Sequence, residues 1–219
     1  DTTYYFKVRV IDADGGNLSD YSEAVKAVTT AAAVPMKVAS YNVRCANCYA
    51  GTNTELKWVD RRAHVVQNIK SRMPDVIGIQ EASQGWLSGT SISQFEDLRT
   101  RLRAAGTAYE VTDLDRNNCV KSTTPSSCKY KDQGASQGTK VFYNTSTVEK
   151  LSSGSKMLPQ CSGCNDRYVA WGIFKYKATG KKFFFANTHL EPGSDKYSIR
   201  QSQAVTMMAE IARQNVDSL

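Results

Sequence analysis

The chain has 219 residues, of which 41% are hydrophobic and 22% are charged. These proportions are typical of a globular protein with one substantial core, and they exclude a disordered or fibrous class. No apolar run approaches the roughly eighteen residues that a membrane span needs. The formal net charge is +7, and because residues 1–35 carry three basic and five acidic side chains, the remainder carries +9. A surface this basic attracts polyanions such as nucleic acid, although it would equally suit an anionic membrane.

The six cysteines occur as three close pairs, which are Cys45 and Cys48, Cys119 and Cys128, and Cys161 and Cys164. An even number of cysteines in short-range pairs predicts disulfides and an oxidising compartment, and hence an extracellular protein. The two pairs with C-x-x-C spacing are also candidates for a zinc site. They lie more than a hundred residues apart in Gly-, Asn- and Ser-rich segments, so disulfides are the favoured interpretation.

The first 30 residues read as two strands joined by a turn. Apolar and polar residues alternate over 4–10 and 23–29, and Gly15 and Gly16 lie in the polar segment between them. The string TTYYFKVRVIDADGGNLSDYSEAVKAVTT also resembles the last two strands of a fibronectin type III domain. This resemblance implies a partial β-sandwich hairpin over residues 1–30, with its earlier strands before Asp1.

A short linker of small residues, 31–35, ends in proline and marks a domain boundary. From residue 36 to residue 219, predicted strands and helices alternate, which indicates α/β or α+β architecture with a mixed sheet. The predicted strands span residues 36–43, 75–80, 139–143, 168–176 and 182–190. The predicted helices span residues 58–73, 93–105 and 197–215, and residues 117–136 are predicted to form a long surface loop.

Helical spacing predicts that Val59, Val65, Val66 and Ile69 of the first helix point inward. In the third helix, the same spacing places Ile199, Ala204, Met207, Met208 and Ile211 on or near one face.

Three segments each carry an apolar strand that ends on a polar residue. They are KVASYNVR at 37–44, PDVIGIQE at 74–81 and FFFANTHL at 183–190. An α/β protein builds its site at such strand ends, because the buried strand holds the last side chain rigidly while the following loop admits water. Converging ends that bear Asn42, Glu81 and His189 would supply an oxygen ligand, an anionic ligand and a hydrogen-bond donor to phosphate.

These strings resemble the endonuclease/exonuclease/phosphatase superfamily over residues 36–219. The resemblance implies a four-layer α/β/β/α sandwich and phosphoester hydrolysis assisted by Mg²⁺, with Mn²⁺ or Ca²⁺ as alternatives. It also implies that Glu81 binds the metal and that Asn42 supports the metal and the nearby catalytic groups. Hard cations of this kind prefer oxygen ligands and keep several waters.

The same resemblance assigns His189 to the scissile phosphate, as an acid or as a hydrogen-bond donor. It assigns Arg167 to phosphate binding, a task that suits the fork geometry of a guanidinium. The segment CSGCNDRYVAWGIFKY is particularly similar to the deoxyribonuclease I-like branch, in which a small disulfide loop precedes the arginine-bearing strand. One position departs from that branch, because the glutamate that partners its histidine is replaced here by Gln137 or Gly138.

The predicted function is therefore a divalent-metal-dependent phosphodiester hydrolase, and more specifically a secreted, monomeric endonuclease that acts on DNA. The superfamily continues past the helix ending near Leu219 to the motifs G-D-x-N and S-D-H. We therefore expect residues 36–219 to be the N-terminal part of a longer domain and to have little activity alone. Two alternatives stay open, namely a sphingomyelinase-like phospholipid phosphodiesterase and a catalytically dead binding or display module.

Overall fold

A computed structural model describes residues 2–9, 16, 19–29, 34–46, 48, 56–114, 138–215 and 219. Cys119, Cys128, Gln137 and the predicted loop over 117–136 lie outside the described residues. The chain divides into two compact units, Asp1–Pro35 and Met36–Leu219. No helix within the described ranges is both long and apolar enough to span a bilayer.

The first unit contains an antiparallel hairpin of two strands, β1 (Thr2–Phe6) and β2 (Val25–Thr29). Beyond β1, the Val8 N–H donates to the Ser22 hydroxyl at 3.0 Å, and the Ser22 N–H donates to the Val8 carbonyl at 2.8 Å. The side chains of Tyr5 and Phe6 are more than half exposed. Two strands with exposed aromatic residues form no core of their own, and the fibronectin resemblance of this unit stays a prediction.

The described residues of the second unit form two β-sheets. The first sheet has the strand order β3-β4-β6-β5, in which β3 and β4 are parallel and the other pairs are antiparallel. Its strands are β3 (Val38–Asn42), β4 (Val76–Gln80), β5 (Tyr109–Val111) and β6 (Lys140–Asn144). The second sheet is antiparallel throughout and consists of β7 (Val148–Met157), β8 (Tyr168–Tyr176) and β9 (Lys182–Thr188).

In the described part of the second unit, three α-helices lie on the outer faces of the two sheets. They are α1 (Trp58–Arg72), α2 (Gln94–Ala104) and α3 (Tyr197–Gln214). An apolar core packs α1 and α2 against the first sheet, and its members include Trp58, Ile69, Ile79, Phe95, Leu98 and Phe142.

A second apolar cluster lies between the two sheets. The first sheet contributes Val76, Val141 and Tyr143, and the second sheet contributes Val148, Ala170 and Phe174. Because side chains alternate along a strand, Trp171 points away from this cluster. Its indole N–H donates to the Glu210 carboxylate of α3 at 3.2 Å. The layers therefore run α/β/β/α, as predicted.

Local signals explain where α2 begins and ends. Ser93 caps its N-terminus in a capping box, in which the Ser93 N–H donates to the Glu96 carboxylate at 2.7 Å. Gly106 follows the helix with φ +80°, a left-handed conformation that favours glycine. The predicted bounds of 93–105 are therefore within one residue of the observed helix.

The prediction that Val59 points inward is wrong, because Val59 is 54% exposed. Val59 follows the buried Trp58 and is turned about 100° around α1 from it. On α3 the buried side chains are the polar Gln203 and Glu210, and Met208, which lies on the opposite side from Glu210, is 57% exposed. Two strands, β5 and β7, were not predicted.

Candidate active site

Asn42 and Glu81 meet where β3 and β4 end. The two strands are parallel neighbours, with Asn42 paired to Gln80, so their carboxyl ends lie side by side. The Asn42 side-chain amide donates to Glu81 Oε1 at 2.8 Å, and the Cys45 backbone N–H donates to Glu81 Oε2 at 3.2 Å. The Arg44 guanidinium is 4.0 Å from Glu81 Oε2. The carboxylate is therefore oriented by directed hydrogen bonds.

The chain turns sharply after both of these strands. Arg44 has φ 52° and Glu81 has φ 57°, a left-handed conformation that costs a residue other than glycine about 1–2 kcal/mol. Backbone conformations of this kind persist where the surroundings hold them, and they cluster at functional sites. The two turns place the backbone of the β3 loop against the Glu81 carboxylate.

The loop after β3 is held from three sides. The Arg61 guanidinium of α1 donates to the carbonyls of Val43 and Arg44, and to that of Cys45 at 3.3 Å. The Gln94 amide at the start of α2 donates to the Arg44 carbonyl at 2.9 Å. The Ala46 N–H donates to the Ser83 hydroxyl at 3.0 Å. The N–H of Cys45 that contacts Glu81 therefore belongs to a fixed segment.

Arg167 and His189 form the second half of the site, at the ends of β8 and β9. Arg167 is 2% exposed, and its Nε donates to Glu191 Oε2 at 2.7 Å in an ion pair that is buried on both sides. Its Nη1 lies 3.1 Å from His189 Nδ1. The structure thus brings Arg167, His189 and Glu191 together as one cluster.

Burial and the neighbouring Arg167 charge lower the pKa of the His189 imidazole below its ordinary value. The carboxylates of Glu81 and Glu191 act in the opposite direction and are outweighed. The influence of Glu81 means that the carboxylate at the end of β4 and the imidazole after β9 lie within electrostatic reach of each other. The Glu81 carboxylate therefore contributes to the electrostatic environment of the imidazole.

Asn187 joins the two sheets. Its side-chain amide donates to the carbonyls of Ile79 and Lys140, both at 2.9 Å, and its Oδ1 accepts from the Gln80 amide at 2.6 Å. Gly78 makes room for this contact, because a Cβ there would lie 2.6 Å from Asn187 Oδ1. Gln80 directly precedes Glu81, and Asn187 is two residues before His189. A buried polar link therefore sets the relation between the two halves.

The oxygen atoms around Glu81 fit a hard divalent cation. Each carboxylate oxygen accepts one of the hydrogen bonds above and keeps further lone pairs, and Mg²⁺ is commonly held by one or two carboxylates with water and substrate phosphate. Asn42 Oδ1 accepts from the Arg44 backbone N–H at 2.8 Å. In this arrangement Asn42 orients Glu81, while its expected place as a metal ligand stays a prediction.

Among the described residues, Cys45 and Cys48 form one disulfide and Cys161 and Cys164 form another, each with a Cα–Cα distance of 5.2 Å. Cys45, Cys48 and Glu81 are the one group of potential metal ligands found among the described residues. Because both sulfur atoms are joined in a disulfide, they are not available to zinc. The first disulfide instead closes the loop that contacts Glu81.

Sequence reasoning missed Glu191, Asn187 and Arg61. Glu191 stands in L-E-P-G-S, where it reads as a turn residue, and its partner is 24 positions away. Asn187 was part of the FFFANTHL segment but carried no predicted role. Position 138, one of the two candidates for the missing glutamate, has no room for a side chain, because a Cβ on Gly138 would lie 1.9 Å from the Ala82 carbonyl oxygen.

No protein-family model matches the chain, and no curated protein matches it. Solved structures do match. A mannosyl-6-phosphatase from Bacteroides thetaiotaomicron is 22% identical with a TM-score of 0.58, and the match covers 83% of this chain and 60% of that one. An endonuclease/exonuclease/phosphatase from Bacteroides vulgatus is 25% identical with a TM-score of 0.59, covering 81% and 60%. The catalytic domain of human Nocturnin with bound sulfate is 17% identical with a TM-score of 0.59, covering 83% and 60%.

The second unit therefore has the fold of the endonuclease/exonuclease/phosphatase superfamily, which confirms the fold and the resemblance predicted from the three strand-end motifs. The chain spans about 60% of the length of these solved structures.

Proposed function

We propose that the protein containing this chain is a divalent-metal-dependent phosphodiester hydrolase. The observation that carries the proposal is the pairing of an oriented carboxylate, Glu81, with the cluster of Arg167 and His189, on two sheets joined through Asn187. Phosphoester hydrolysis needs such a combination, because the metal and the fixed donors share the charge that develops on the phosphoryl oxygens.

In this proposal Glu81 holds Mg²⁺ or a similar ion, and Asn42 orients the carboxylate. The ion supplies Lewis-acid stabilisation of the phosphate oxygens. Arg167, the predicted phosphate-binding residue, contacts His189, and His189 donates to the phosphate from the ring nitrogen that faces away from Arg167. His189 Nδ1 contacts Arg167, so this nitrogen is Nε2.

The proposed substrate is DNA. Residues 36–219 carry the +9 charge, and such a charge accelerates encounter with a polyphosphate backbone. One of the similar structures is a sugar phosphatase by name, so the fold by itself does not decide which class of phosphoester is hydrolysed. A phospholipid such as sphingomyelin is the second candidate, because a basic surface would also suit an anionic membrane in which such a lipid lies.

We also propose that the protein is secreted and monomeric. The two disulfides in the described residues support the secreted location, because such bonds persist in oxidising compartments.

The test is a plasmid-nicking assay on the complete gene product that contains these residues, with Mg²⁺, Mn²⁺ or Ca²⁺, beside a sphingomyelin assay. Nicking that requires the metal and is lost in Glu81→Ala supports the proposal, and Glu149→Ala, an exposed carboxylate on β7, serves as the matched control. Hydrolysis of sphingomyelin without nicking would move the substrate to phospholipid. Loss of both activities, together with retained DNA binding, would show a binding module instead.

A further inference from the structure

The contact between Arg167 and His189 restricts the protonation state of the imidazole. A guanidinium carries only N–H donors and stays charged at all ordinary pH values. At 3.1 Å from Arg167 Nη1, His189 Nδ1 must therefore be the acceptor. The single proton of the neutral ring then lies on Nε2.

The doubly protonated ring is disfavoured by the same geometry. An imidazolium would turn an N–H at Nδ1 toward an N–H of Arg167, so that two donors and two positive charges would face each other. The charged groups that act on the ring are Arg167, Glu81 and Glu191. Among the described residues, Arg167 is the one hydrogen-bond partner of the ring.

Glu191 bonds directly to the Arg167 guanidinium. Its carboxylate accepts from Arg167 Nε at 2.7 Å, and both side chains are at most 9% exposed. The Glu191 backbone is anchored in turn, because its N–H donates to Gln203 of α3 at 2.9 Å and its carbonyl accepts from Arg200 at 3.2 Å. The Gln203 amide also donates to the Pro159 carbonyl at 2.9 Å. A continuous set of contacts thus runs from α3 through Glu191 and Arg167 to His189.

We infer that Glu191 is a positioning residue that, through Arg167, holds His189 as the neutral Nε2–H tautomer, so that His189 acts as a fixed hydrogen-bond donor and not as a proton-transferring acid. The part concerning phosphate rests on the proposed function. The tautomer itself is a property of the free chain, and it is measured without metal or substrate.

The experiment is long-range ¹H–¹⁵N correlation NMR of the imidazole rings in the full chain at neutral pH. The chain has two histidines, so His64→Gln assigns both signals, and His64, exposed on α1, is the internal reference. We expect the His189 signals of the unsubstituted chain to show a protonated Nε2 and an unprotonated Nδ1. A protonated Nδ1, or a doubly protonated ring at neutral pH, would overturn the inference.

The role of Glu191 is tested by Glu191→Gln, which removes the negative charge but keeps the size of the side chain. We expect loss of the single tautomer, with averaging of the two ring-nitrogen shifts. Glu149→Gln, on an exposed carboxylate, should leave the His189 pattern unchanged. If Glu191→Gln does not fold, Gln203→Ala loosens the same anchor and should produce the same averaging.

An unchanged tautomer in the Glu191→Gln chain, or in the Gln203→Ala chain if the first does not fold, would reject the role of Glu191. These readings are independent of hydrolysis. A protein that shows the expected tautomer but does not cleave any phosphoester would contradict the proposed function and leave this inference standing.

Discussion

Glu81 and Arg167 carry opposite charges at the ends of two different sheets, and they differ in the partners that surround them. The Glu81 carboxylate accepts from neutral donors, the Asn42 amide and the Cys45 N–H, and the Arg44 guanidinium is 4.0 Å away on an exposed side chain. Arg167 is nearly fully buried and is bonded directly to a buried carboxylate, Glu191.

The difference shows how each charge is made compatible with burial. A buried cation such as Arg167 needs a bonded counter-charge, because desolvation is costly. Glu81 is held mainly by dipoles, which orient it without neutralising its charge. The half around Glu81 therefore retains the capacity to attract a cation, whereas in the half around Arg167 the charge is already compensated within the protein.

We expect the largest effect on stability from breaking the buried ion pair between Arg167 and Glu191. Arg167→Met should lower the free energy of unfolding by about 3–5 kcal/mol, because it leaves the Glu191 carboxylate buried and unpaired. Urea denaturation measures this change. Adding Glu191→Leu should recover much of the loss, since a buried ion pair can be replaced by apolar side chains of similar volume.

The matched control is Lys175→Met in the exposed pair with Glu149, whose closest N···O distance is 3.9 Å. Exposed pairs contribute roughly 0–1 kcal/mol. A loss of similar size in Arg167→Met and Lys175→Met would mean that the Arg167 pair is not buried in solution.

We expect the second largest effect on stability at Asn187, which links the two halves of the site. Asn187→Ala removes the donors to the Ile79 and Lys140 carbonyls and should lower the free energy of unfolding by about 2–3 kcal/mol, because buried polar groups lose their partners. The neighbouring Thr188→Ala removes a single bond to the Tyr168 carbonyl and should cost about 1 kcal/mol. Chemical denaturation of both variants tests this order, and the reverse order would contradict it.

At Glu81 we expect a change in ligand binding that exceeds the change in stability. Glu81→Gln should alter the free energy of unfolding by less than about 1 kcal/mol. It should weaken Mn²⁺ binding at least about tenfold, equivalent to about 1.4 kcal/mol, because the amide keeps the shape but loses the charge. Titration followed by electron paramagnetic resonance measures the affinity, with Glu149→Gln as the control. Equal Mn²⁺ affinity in both variants would remove Glu81 from the metal site.

The smallest expected effect concerns pH. Because the folded chain holds the pKa of His189 below its ordinary value, the unfolded chain takes up this proton first as pH falls. Stability should therefore decrease as pH is lowered through about 6.5 and should level off below the folded pKa. His189→Gln should remove this component of the pH dependence, whereas His64→Gln, on an exposed helix face, should retain it. Unfolding curves between pH 7.5 and pH 5.5 in roughly half-unit steps compare the two variants.

Much of the second unit could be predicted because its elements have strong local patterns. The apolar run ending on Glu81 forms β4, and the periodic segment before it forms α1. β7 was missed because the sequence VEKLSSGSKM has few apolar residues. It forms a strand because it pairs with β8 over nearly its whole length, a tertiary contact that no local pattern contains.

The candidate site likewise contains residues that could be predicted from the sequence and contacts that could not. Asn42, Glu81 and His189 could be selected because each ends or follows an apolar strand. The contact of Glu191 with Arg167 could not, since it joins a turn to a strand and depends on α3 for its anchor. The direction of the Asn42 amide toward Glu81 likewise depends on the turn at Arg44, whose left-handed φ has no sequence signal.

The link through Asn187 also shows on which side chains the spacing of the two sheets depends. Two of its hydrogen bonds end on backbone carbonyls, those of Ile79 and Lys140, and carbonyl groups persist whatever side chains occur at those positions. A third bond comes from the Gln80 side chain, and the close approach of Asn187 requires a residue without a Cβ at position 78. Through these contacts, the spacing of the two sheets depends on the residues at positions 78, 80 and 187 and not on the side chains at positions 79 and 140.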